Sequence, residues 1–260
     1  MIDLHSHILP GVDDGAVDLD MSLRIARIYV DNGYEKVIAT PHYIDGTCKY
    51  SRLELLRKLD ELNTSIKNEG IDLEIMPGNE LYISPSTVED LTTGEALTLS
   101  ESRFVLLELP SNDVPKYTDS VIYELQIKGF SPIISHPERN LRIIENPNIL
   151  YSMIEKGALA QMNILSLEGM YGKAAMETAL ILLSHNMIHF AATDTHSDGR
   201  RSPEIKKLLK LLENKAGKEN YWRIIYENPE RVIMNKPVIP GYADRVDKKK
   251  SIFTILGGLI

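Results

Sequence analysis

The stretch Ile2-Asp3-Leu4-His5-Ser6-His7 is a short apolar run that passes directly into two histidines. We predict a strand over Ile2–His5, because the run is β-rich and too short for a helix. Side chains two residues apart in an extended segment point the same way, so His5 and His7 can face one centre. The same pattern, a buried-type strand that ends in polar residues, recurs along the chain.

Seven short runs rich in Ile, Val, Leu, Ala or Phe are predicted as strands buried on both faces. They are Ile2–His5, Lys36–Thr40, Leu73–Pro77, Phe104–Leu109, Pro132–His136, Leu159–Asn163 and Ile188–Thr193. The helices predicted between them are Leu19–Asn32, Arg52–Asn68, Pro85–Thr92, Tyr117–Lys128, Asn146–Glu155 and Gly172–Ser184. Two more, Pro203–Ala216 and Glu219–Tyr226, would close the structure. This alternation predicts an α/β fold with a parallel, barrel-like sheet, one strand short of the eight-stranded form.

The chain shows no linker or break in composition, so we predict one domain over residues 1–243 and a tail over residues 244–260. In the tail, three lysines at 248–250 precede a mostly apolar segment. We expect this tail to dock on the domain. The alternative is a weak contact with a membrane surface or a partner, since the segment is too short to span a bilayer.

Composition narrows the classes of function. The 260 residues carry a net charge of -8, from 29 Lys and Arg against 37 Asp and Glu, which disfavours a nuclease or another protein held on nucleic acid by charge. Cys48 is the single cysteine, so a disulfide framework and a cysteine-rich zinc module are excluded. We find no signal peptide and no apolar run long enough to span a bilayer, and we expect a cytoplasmic protein.

Residue types that bind metal recur where the predicted strands end. They are His5, His7, Asp13, Asp14, His42, Glu80, Glu108, His136, Asp194 and His196. The carboxyl ends of parallel strands share one face, so five of the seven histidines converge there, whereas His185 and His189 lie on the opposite side. One such histidine is more often structural, but so many buried polar groups need something that satisfies them. Ligation by His and carboxylates without thiolate suits Zn, Mn or Fe, in a centre of two or three ions.

The motif His5-Ser6-His7, with the later histidines, Glu80 and Asp194-Thr195-His196 at strand ends, resembles the PHP (polymerase and histidinol phosphatase) family. The run from Asp3 to Gly15, DLHSHILPGVDDG, resembles its bacterial protein-tyrosine phosphatases from capsule and exopolysaccharide loci. The resemblance covers about residues 1–236 and includes Asn228-Pro229-Glu230-Arg231. It implies a distorted seven-stranded (β/α)7 TIM-like barrel, the PHP fold, and a trinuclear site that often holds manganese.

The resemblance also implies three ligand sets. They are His5, His7, Glu80 and Asp194; His42, His196 and Asp14; and Glu80, Glu108 and His136, with Glu80 bridging two ions. The sequence does not decide between Asp13 and Asp14: Asp14 matches the family position, and Asp13 would support a ligand. A hydroxide that bridges two ions would attack phosphorus in line, with no covalent phosphoenzyme.

Arginines would complete a phosphate site by bidentate contact with a dianion. Arg139 matches the family's phosphate-binding arginine. The second is Arg200 or Arg201: the distance from His196 favours Arg201, which we prefer, and alignment of the Gly-Arg pair favours Arg200. We expect Arg139, Arg201 and Asp194 to act in catalysis.

We therefore predict hydrolysis of phosphotyrosine, and the resemblance implies a bacterial tyrosine kinase of polysaccharide synthesis as the substrate. One alternative is a phosphatase of histidinol phosphate or another small molecule, and another is a non-catalytic metal-binding interaction module. A cysteine phosphatase is excluded because Glu54 stands six residues after Cys48, where an arginine is needed. Neither a Gly-x-Ser-x-Gly elbow nor a Walker A loop is present.

Overall fold

The computed structural model describes residues 1–47, 50–238 and 241–247. Cys48 and residues 248–260 of the predicted tail lie outside the described residues. The strands in the described part are β1 Ile2–Ser6, β2 Lys36–Ala39, β3 His42–Tyr43, β4 Glu74–Pro77, β5 Glu80–Tyr82, β6 Phe104–Glu108, β7 Ser131–Ser135, β8 Leu159–Asn163 and β9 Phe190–Ala192.

Helices connect these strands, as the sequence predicts for βα repeats. They are α1 Leu19–Asp31, α2 Arg52–Asn68, α3 Thr87–Thr93, α4 Thr118–Ile127, α5 Leu141–Glu145, α6 Asn148–Glu155, α7 Lys173–Ser184, α8 Lys206–Ala216, α9 Lys218–Trp222 and α10 Asn228–Ile233. Single 3₁₀ turns cover Pro137–Arg139 and Ile164–Glu168, and a π turn covers Arg223–Glu227. None of the helices in the described residues is long and apolar enough to cross a bilayer.

Every strand pairing is parallel, and the pairings form two sheets. One sheet has the order β1-β2-β4, and the other has the order β3-β5-β6-β7-β8-β9. The first and last strands meet at a single bridge between Ser6 and Thr195. There, the Asp194 amide donates to the His5 carbonyl at 3.0 Å and the His7 amide donates to the Thr195 carbonyl at 2.8 Å. The parallel α/β architecture is confirmed, and a single closed seven-stranded barrel stays a prediction.

The division into two sheets arises because two short strands that were not predicted, β3 and β5, follow the ends of two predicted strands. Pro41 has no N–H to donate to the ladder, and it separates β2 from β3. Gly78 separates β4 from β5, and a Cβ there would lie 2.8 Å from Ile38 Cγ2, which excludes any larger residue without a shift. The side-chain Nδ2 of Asn79 donates to the Pro41 carbonyl at 3.0 Å and so links the residues that follow β4 to those that follow β2.

Two helical regions differ from the sequence prediction. The helix predicted over Asn146–Glu155 starts only at Asn148, because Asn146 is extended, with φ -148°, at the end of the unpredicted helix α5. The helix predicted over Glu219–Tyr226 is α9 followed by the π turn, and α10 extends the helical region to Ile233.

Two hydrophobic clusters lie beneath the carboxyl ends of the strands. The smaller takes residues from most strands and packs against α10; its buried members are Leu4, Ile38, Leu99, Phe104, Leu106, Ile133, Leu159, Phe190 and Val232. His185 caps α7, and His189 precedes β9. Asp244 contacts this end of the molecule, where its backbone amide donates to the His185 carbonyl at 2.8 Å. His185 and His189 are thus remote from the strand ends, as predicted.

Candidate metal centre

The structure brings all nine residues that were predicted as metal ligands into one cluster at the carboxyl ends of the strands. Glu80 opens β5 and pairs in register with His42 of β3. Groups whose ligand atoms lie within 4.8 Å of one another are His7, Asp14, His42 and His196; His5, His7 and Glu80; His5, His136 and Asp194; and His42, Glu80 and Glu108. Every one of the nine belongs to at least one such group.

The tightest part of the cluster surrounds the His5 and His7 rings. Their Nε2 atoms lie 3.2 Å apart. Glu80 Oε2 lies 3.2 Å from His5 Nε2 and 3.4 Å from His7 Nε2, and Asp194 Oδ1 lies 3.4 Å and 3.5 Å from the same two atoms. Ligand atoms around one ion, with bonds near 2.1 Å, are separated by about 3.0–3.4 Å. These four side chains therefore fit a single divalent ion.

A second group lies beside it. Asp14 Oδ1 is 3.4 Å from His42 Nε2 and 3.4 Å from His196 Nε2. His196 Nδ1 contacts the Asp194 carbonyl oxygen at 3.0 Å, which leaves Nε2 directed at Asp14.

The third group centres on Glu80 Oε1, which lies 2.8 Å from His136 Nε2. Glu108 contributes one oxygen 3.9 Å from His136 Nε2 and the other 3.7 Å from His42 Nδ1. His42 thus has a nitrogen near each of two groups.

Two buried atoms of this cluster have no hydrogen-bond partner in the described residues, namely Glu80 Oε2 and His42 Nδ1, which lie 3.2 Å apart. Burial would raise the pKa of Glu80, but the charges of His5 and His136 hold it well below its ordinary value. A buried, ionised carboxylate oxygen without a donor is costly, and a cation would satisfy it. The residues present therefore fit a metal centre.

Asp13 and Asp14 play different structural parts. Asp13 Oδ2 accepts from His7 Nδ1 at 2.7 Å and from the His42 amide at 3.1 Å. Burial lowers the pKa of His7, but the hydrogen bond to Asp13 and the carboxylates of Asp13, Glu80 and Asp194 together outweigh it and raise the pKa to about 9. Asp13 thus fixes the His7 ring, whereas Asp14 faces His42 and His196. This placement favours Asp14 as a metal ligand and Asp13 as the residue that orients the ligand His7.

Two of the clustered residues have backbones in the left-handed region. His136 has φ 30° and Asp194 has φ 52°. Non-glycine residues rarely adopt such angles, which cost about 1–3 kcal/mol and occur mainly at functional sites. Both residues stand just after a strand, and the strained turn re-aims each side chain at the cluster.

Two of the three predicted arginines converge on Asp194. Arg139 Nη1 donates to Asp194 Oδ2 at 2.8 Å, and Arg201 Nη2 donates to the same oxygen at 2.7 Å. Burial would raise the pKa of Asp194, but the histidine and arginine charges around it lower the pKa below its ordinary value. Arg200 is exposed, so the structure places Arg201 and not Arg200 beside the cluster.

A cavity of about 450 Å³ opens beside this arginine pair. Its wall includes Glu108, His136 and Arg139, next to apolar side chains such as Leu141. The ring of Tyr171 also lines it and lies 4.4 Å from Arg139 Cζ and 5.8 Å from Arg201 Cζ. The volume and mixed lining suit an aromatic group attached to an anion.

The sequence prediction missed Tyr171, Gln161 and Asn163. Gln161 contacts His5, and Asn163 contacts Asp194. Tyr171 lies in a loop with no motif that marks it. The two amides alternate along β8 in an otherwise apolar strand, and that placement was the available signal.

Comparisons with known proteins agree with this geometry. Tyrosine-protein phosphatase YwqE of Bacillus subtilis is 38% identical over 250 residues, which are 96% of this chain and 98% of YwqE. A crystal structure from work on YwqE and on CpsB of Streptococcus pneumoniae, described as metal-dependent tyrosine phosphatases, matches with a TM-score of 0.91 and 37% identity. That match covers 95% of this chain and all of the other.

More distant structures share the fold alone. A histidinol phosphate phosphatase from Lactococcus lactis matches with a TM-score of 0.54 at 12% identity, over 84% of this chain and 95% of its own. The family model for capsular polysaccharide synthesis, CpsB/CapC, matches residues 1–234. The chain therefore belongs to the CpsB/CapC family of capsular polysaccharide synthesis.

Proposed function

We propose that this chain is a metal-dependent tyrosine phosphatase. The observation that carries the proposal is that the two carboxylate oxygens of Asp194 contact different groups. Its Oδ1 faces the Nε2 atoms of His5 and His7, and its Oδ2 accepts from Arg139 and Arg201. One carboxylate joins the groups that would hold cations to the groups that bind a phosphate dianion. Family membership and the metal-dependent tyrosine phosphatases among the relatives support the same activity.

The proposed centre holds three divalent ions, with Mn²⁺ favoured over Fe and Zn. The proposed ligand sets are His5, His7, Glu80 and Asp194; His42, Asp14 and His196; and Glu80, Glu108 and His136. Ligand atoms of His5, His7 and Glu80 lie within 4.8 Å of one another, which supports the first set, and the second set lies within a group that also includes His7. In the third set, Glu80 and Glu108 are grouped with His42, and His136 Nε2 lies 2.8 Å from Glu80 Oε1. Two short-range contacts of Glu80, through Oε2 to His5 and through Oε1 to His136, support its role as a bridge.

The ions, when bound, would generate the attacking hydroxide and neutralise charge on the phosphoryl group. The chain's own part is to bind and orient the ester. Arg139 and Arg201 would exchange part of their contact with Asp194 for the phosphate oxygens, which guanidinium groups bind with suitable geometry. The aryl ring of the ester would enter the adjacent cavity. The ring of Tyr171, which lies near both guanidinium groups, would help to hold them in place.

The proposed physiological substrate is phosphotyrosine on a protein, namely a bacterial tyrosine kinase of polysaccharide synthesis. The family's link with capsule synthesis and the phosphatase activity of its named members support this proposal. We propose that the reaction takes place in the cytoplasm, where such a kinase would present its phosphorylated segment.

The test compares two substrates on metal-stripped protein, with and without added Mn²⁺. We expect Mn²⁺ to restore release of phosphate from a phosphotyrosine peptide, with a kcat/KM well above that for histidinol phosphate. Preference for histidinol phosphate would replace the proposal with a small-molecule phosphatase. Bound Mn²⁺ without any release would indicate a binding module.

A matched pair of histidine variants locates the activity. His136→Ala should lose both metal and activity, because it removes a proposed ligand. His185→Ala, at the opposite end of the molecule, should keep both. Full activity in His136→Ala would contradict the proposed third set.

A further inference from the structure

Strand β8 contributes none of the proposed metal ligands, yet its carboxyl end lies against two of them. It places the side chains of Gln161 and Asn163 between His5 and Asp194, with 1% and 0% of their surface exposed. Two buried amides need hydrogen-bond partners on every polar atom. The hydrogen-bond partners of Gln161 and Asn163 therefore indicate the role of the two side chains.

The two amides form one continuous chain of hydrogen bonds. Gln161 Oε1 lies 2.8 Å from His5 Nδ1, and Gln161 Nε2 donates to Asn163 Oδ1 at 3.0 Å. Asn163 Nδ2 then donates to Asp194 Oδ2 at 2.6 Å. The chain thus starts on one proposed ligand of the first ion and ends on another.

The direction of this chain is fixed from the Asp194 end. Asp194 Oδ2 accepts from Arg139 and Arg201, whose guanidinium groups can only donate, so the atom of Asn163 that contacts this oxygen must be the NH₂ group. Asn163 Oδ1 must then accept from the NH₂ group of Gln161. The Gln161 carbonyl is left facing His5, so His5 Nδ1 must carry a proton.

This direction has a consequence at each end. With the proton on Nδ1, the lone pair of His5 is on Nε2, the atom that faces His7 and Glu80. At the other end, Asp194 Oδ2 receives Asn163 together with Arg139 and Arg201, so Oδ1 is left for a cation. Outer partners of this kind commonly fix the tautomer and orientation of metal-binding side chains.

The backbone that carries Asn163 is also held in place. Glu138 Oε1 accepts from the backbone N–H of Asn163 at 2.9 Å and from Ser166 Oγ at 2.6 Å. Glu138 lies two residues after His136, so the end of β8 is tied to the turn that carries His136 and Arg139. Asn163 therefore has little freedom to move away from Asp194.

We propose that Gln161 and Asn163 are positioning residues, which hold His5 in the Nδ1–H tautomer and reserve Oδ1 of Asp194 for the metal. The inference rests on the ligand sets proposed above. It predicts that the two amides act as one unit on metal affinity, although neither touches the metal.

The test measures Mn²⁺ affinity of metal-stripped protein by titration against a chelating indicator. Gln161→Met and Asn163→Leu remove the amides at similar volume, and each should weaken binding of the most tightly held ion about 10- to 100-fold. Asn32→Leu is the control, because the Asn32 side chain is also a buried amide, and its hydrogen bonds within the described residues join it to backbone groups of residues 28, 205 and 206. It should lose stability and keep its Mn²⁺ affinity.

Two further arms separate this inference from the ligand proposal. The double variant of Gln161→Met with Asn163→Leu should bind Mn²⁺ no more weakly than the worse single variant, since a broken chain cannot be broken twice. His5→Ala should weaken binding in any case. Unchanged affinity in folded Gln161→Met, beside weakened binding in His5→Ala, would overturn the inference and leave the ligands standing. Unchanged affinity in His5→Ala would overturn the ligand proposal itself.

A second variant keeps the inference testable if Gln161→Met fails to fold. Gln161→Glu retains an acceptor for His5 Nδ1–H but has no donor for Asn163. In the diamagnetic Zn²⁺ form, ¹⁵N NMR should therefore still show His5 protonated at Nδ1, while metal affinity falls. A His5 ring protonated at Nε2 in the unmodified protein would refute the proposed direction of the chain.

Discussion

Asp194 is the residue at which the two halves of the site meet. Its side chain is 1% exposed and receives three donors on Oδ2, from Arg139, Arg201 and Asn163. Such a crowded oxygen binds its partners firmly, and so the two guanidinium groups are already in place before a phosphate arrives. Groups that are ordered beforehand lose less entropy when they bind.

Arg201→Ala should raise KM for a phosphotyrosine peptide and lower kcat/KM about 10- to 100-fold, because a hydrogen bond to a charged partner is worth about 1.5–3 kcal/mol. Its metal content should stay near that of the unmodified protein. Steady-state kinetics with metal analysis checks both.

Arg200→Ala is the matched control, since Arg200 is exposed and precedes Arg201 directly. It should leave kcat/KM within about twofold of the unmodified value, as most exposed substitutions do. A larger loss in Arg200→Ala than in Arg201→Ala would reverse the assignment of the second arginine.

At the scale of single residues, the sequence predicts which side chains gather at the strand ends, but not which of their atoms contact one another. His5, Glu80 and Asp194 could be predicted because strand ends share one face and few other side chains bind metal. Gln161 and Asn163 could not, because amides are common inside folds and only distances show which groups they join. Choosing between Asp13 and Asp14 likewise requires knowledge of where the turn places each carboxylate.

Among the elements, the turn from Asp13 to Gly15 packs closely against the site. A Cβ on Gly15 would lie 2.1 Å from the His7 carbonyl oxygen and 2.5 Å from His7 Cβ. The Gly15 amide also donates to Asp13 Oδ1 at 2.9 Å. The turn therefore packs its backbone directly on His7 while it presents Asp13 and Asp14.

Gly15→Ala should displace this turn, because backbone and Cβ of His7 cannot move away as a flexible side-chain tip would. We expect Mn²⁺ affinity to fall at least tenfold and activity to fall with it. Equilibrium dialysis followed by metal analysis measures the first.

Gly199→Ala provides the comparison, since no atom lies within 4 Å of a Cβ at that position. It should bind Mn²⁺ normally. If Gly15→Ala also bound Mn²⁺ normally, the turn would be more adaptable than its packing indicates.

Elements with strong local signals were predicted closely. Helix α2 was predicted at its observed bounds, because Ser51 and Glu54 form a capping box in which each side chain bonds the other's backbone. Strand β8 also has its predicted bounds. The short strands β3 and β5, which follow Pro41 and Gly78, were missed, because they have only two and three residues and include the polar His42 and Glu80.

Across the whole molecule, the proposed ligands come from both sheets. His5 and His7 belong to or follow β1 of one sheet, whereas Glu80, Glu108 and His136 belong to or follow strands of the other. Bound ions would therefore add cross-links between the two sheets, beside the backbone bridge between Ser6 and Thr195.

Removal of metal should therefore lower thermal stability. A ligand at 100 times its Kd stabilises the fold by about 2.7 kcal/mol, and 1 kcal/mol shifts Tm by about 2–4 °C in a domain of this size. We expect chelated protein to melt about 5–10 °C below protein with Mn²⁺, by calorimetry.

His136→Ala should gain less from Mn²⁺ in the same measurement. Equal melting temperatures with and without saturating Mn²⁺ would mean that the ions do not join the sheets.

The general α/β architecture behind this prediction was visible in the alternation of elements. The meeting of the two sheets was not, because it depends on pairings between residues far apart in sequence.

The separation of His5 and Asp194 along the chain also determines when the site can form during synthesis on the ribosome. His5 and Asp194 are contributed by strands near opposite ends of the βα series, and the backbone bond between them forms only when β9 reaches β1. At about 5–20 residues per second, a ribosome needs about 10–40 s to go from one to the other. A growing chain thus carries its histidine pair long before it has Asp194 and Arg201, and we expect no hydrolysis of a phosphate ester until both residues have been added.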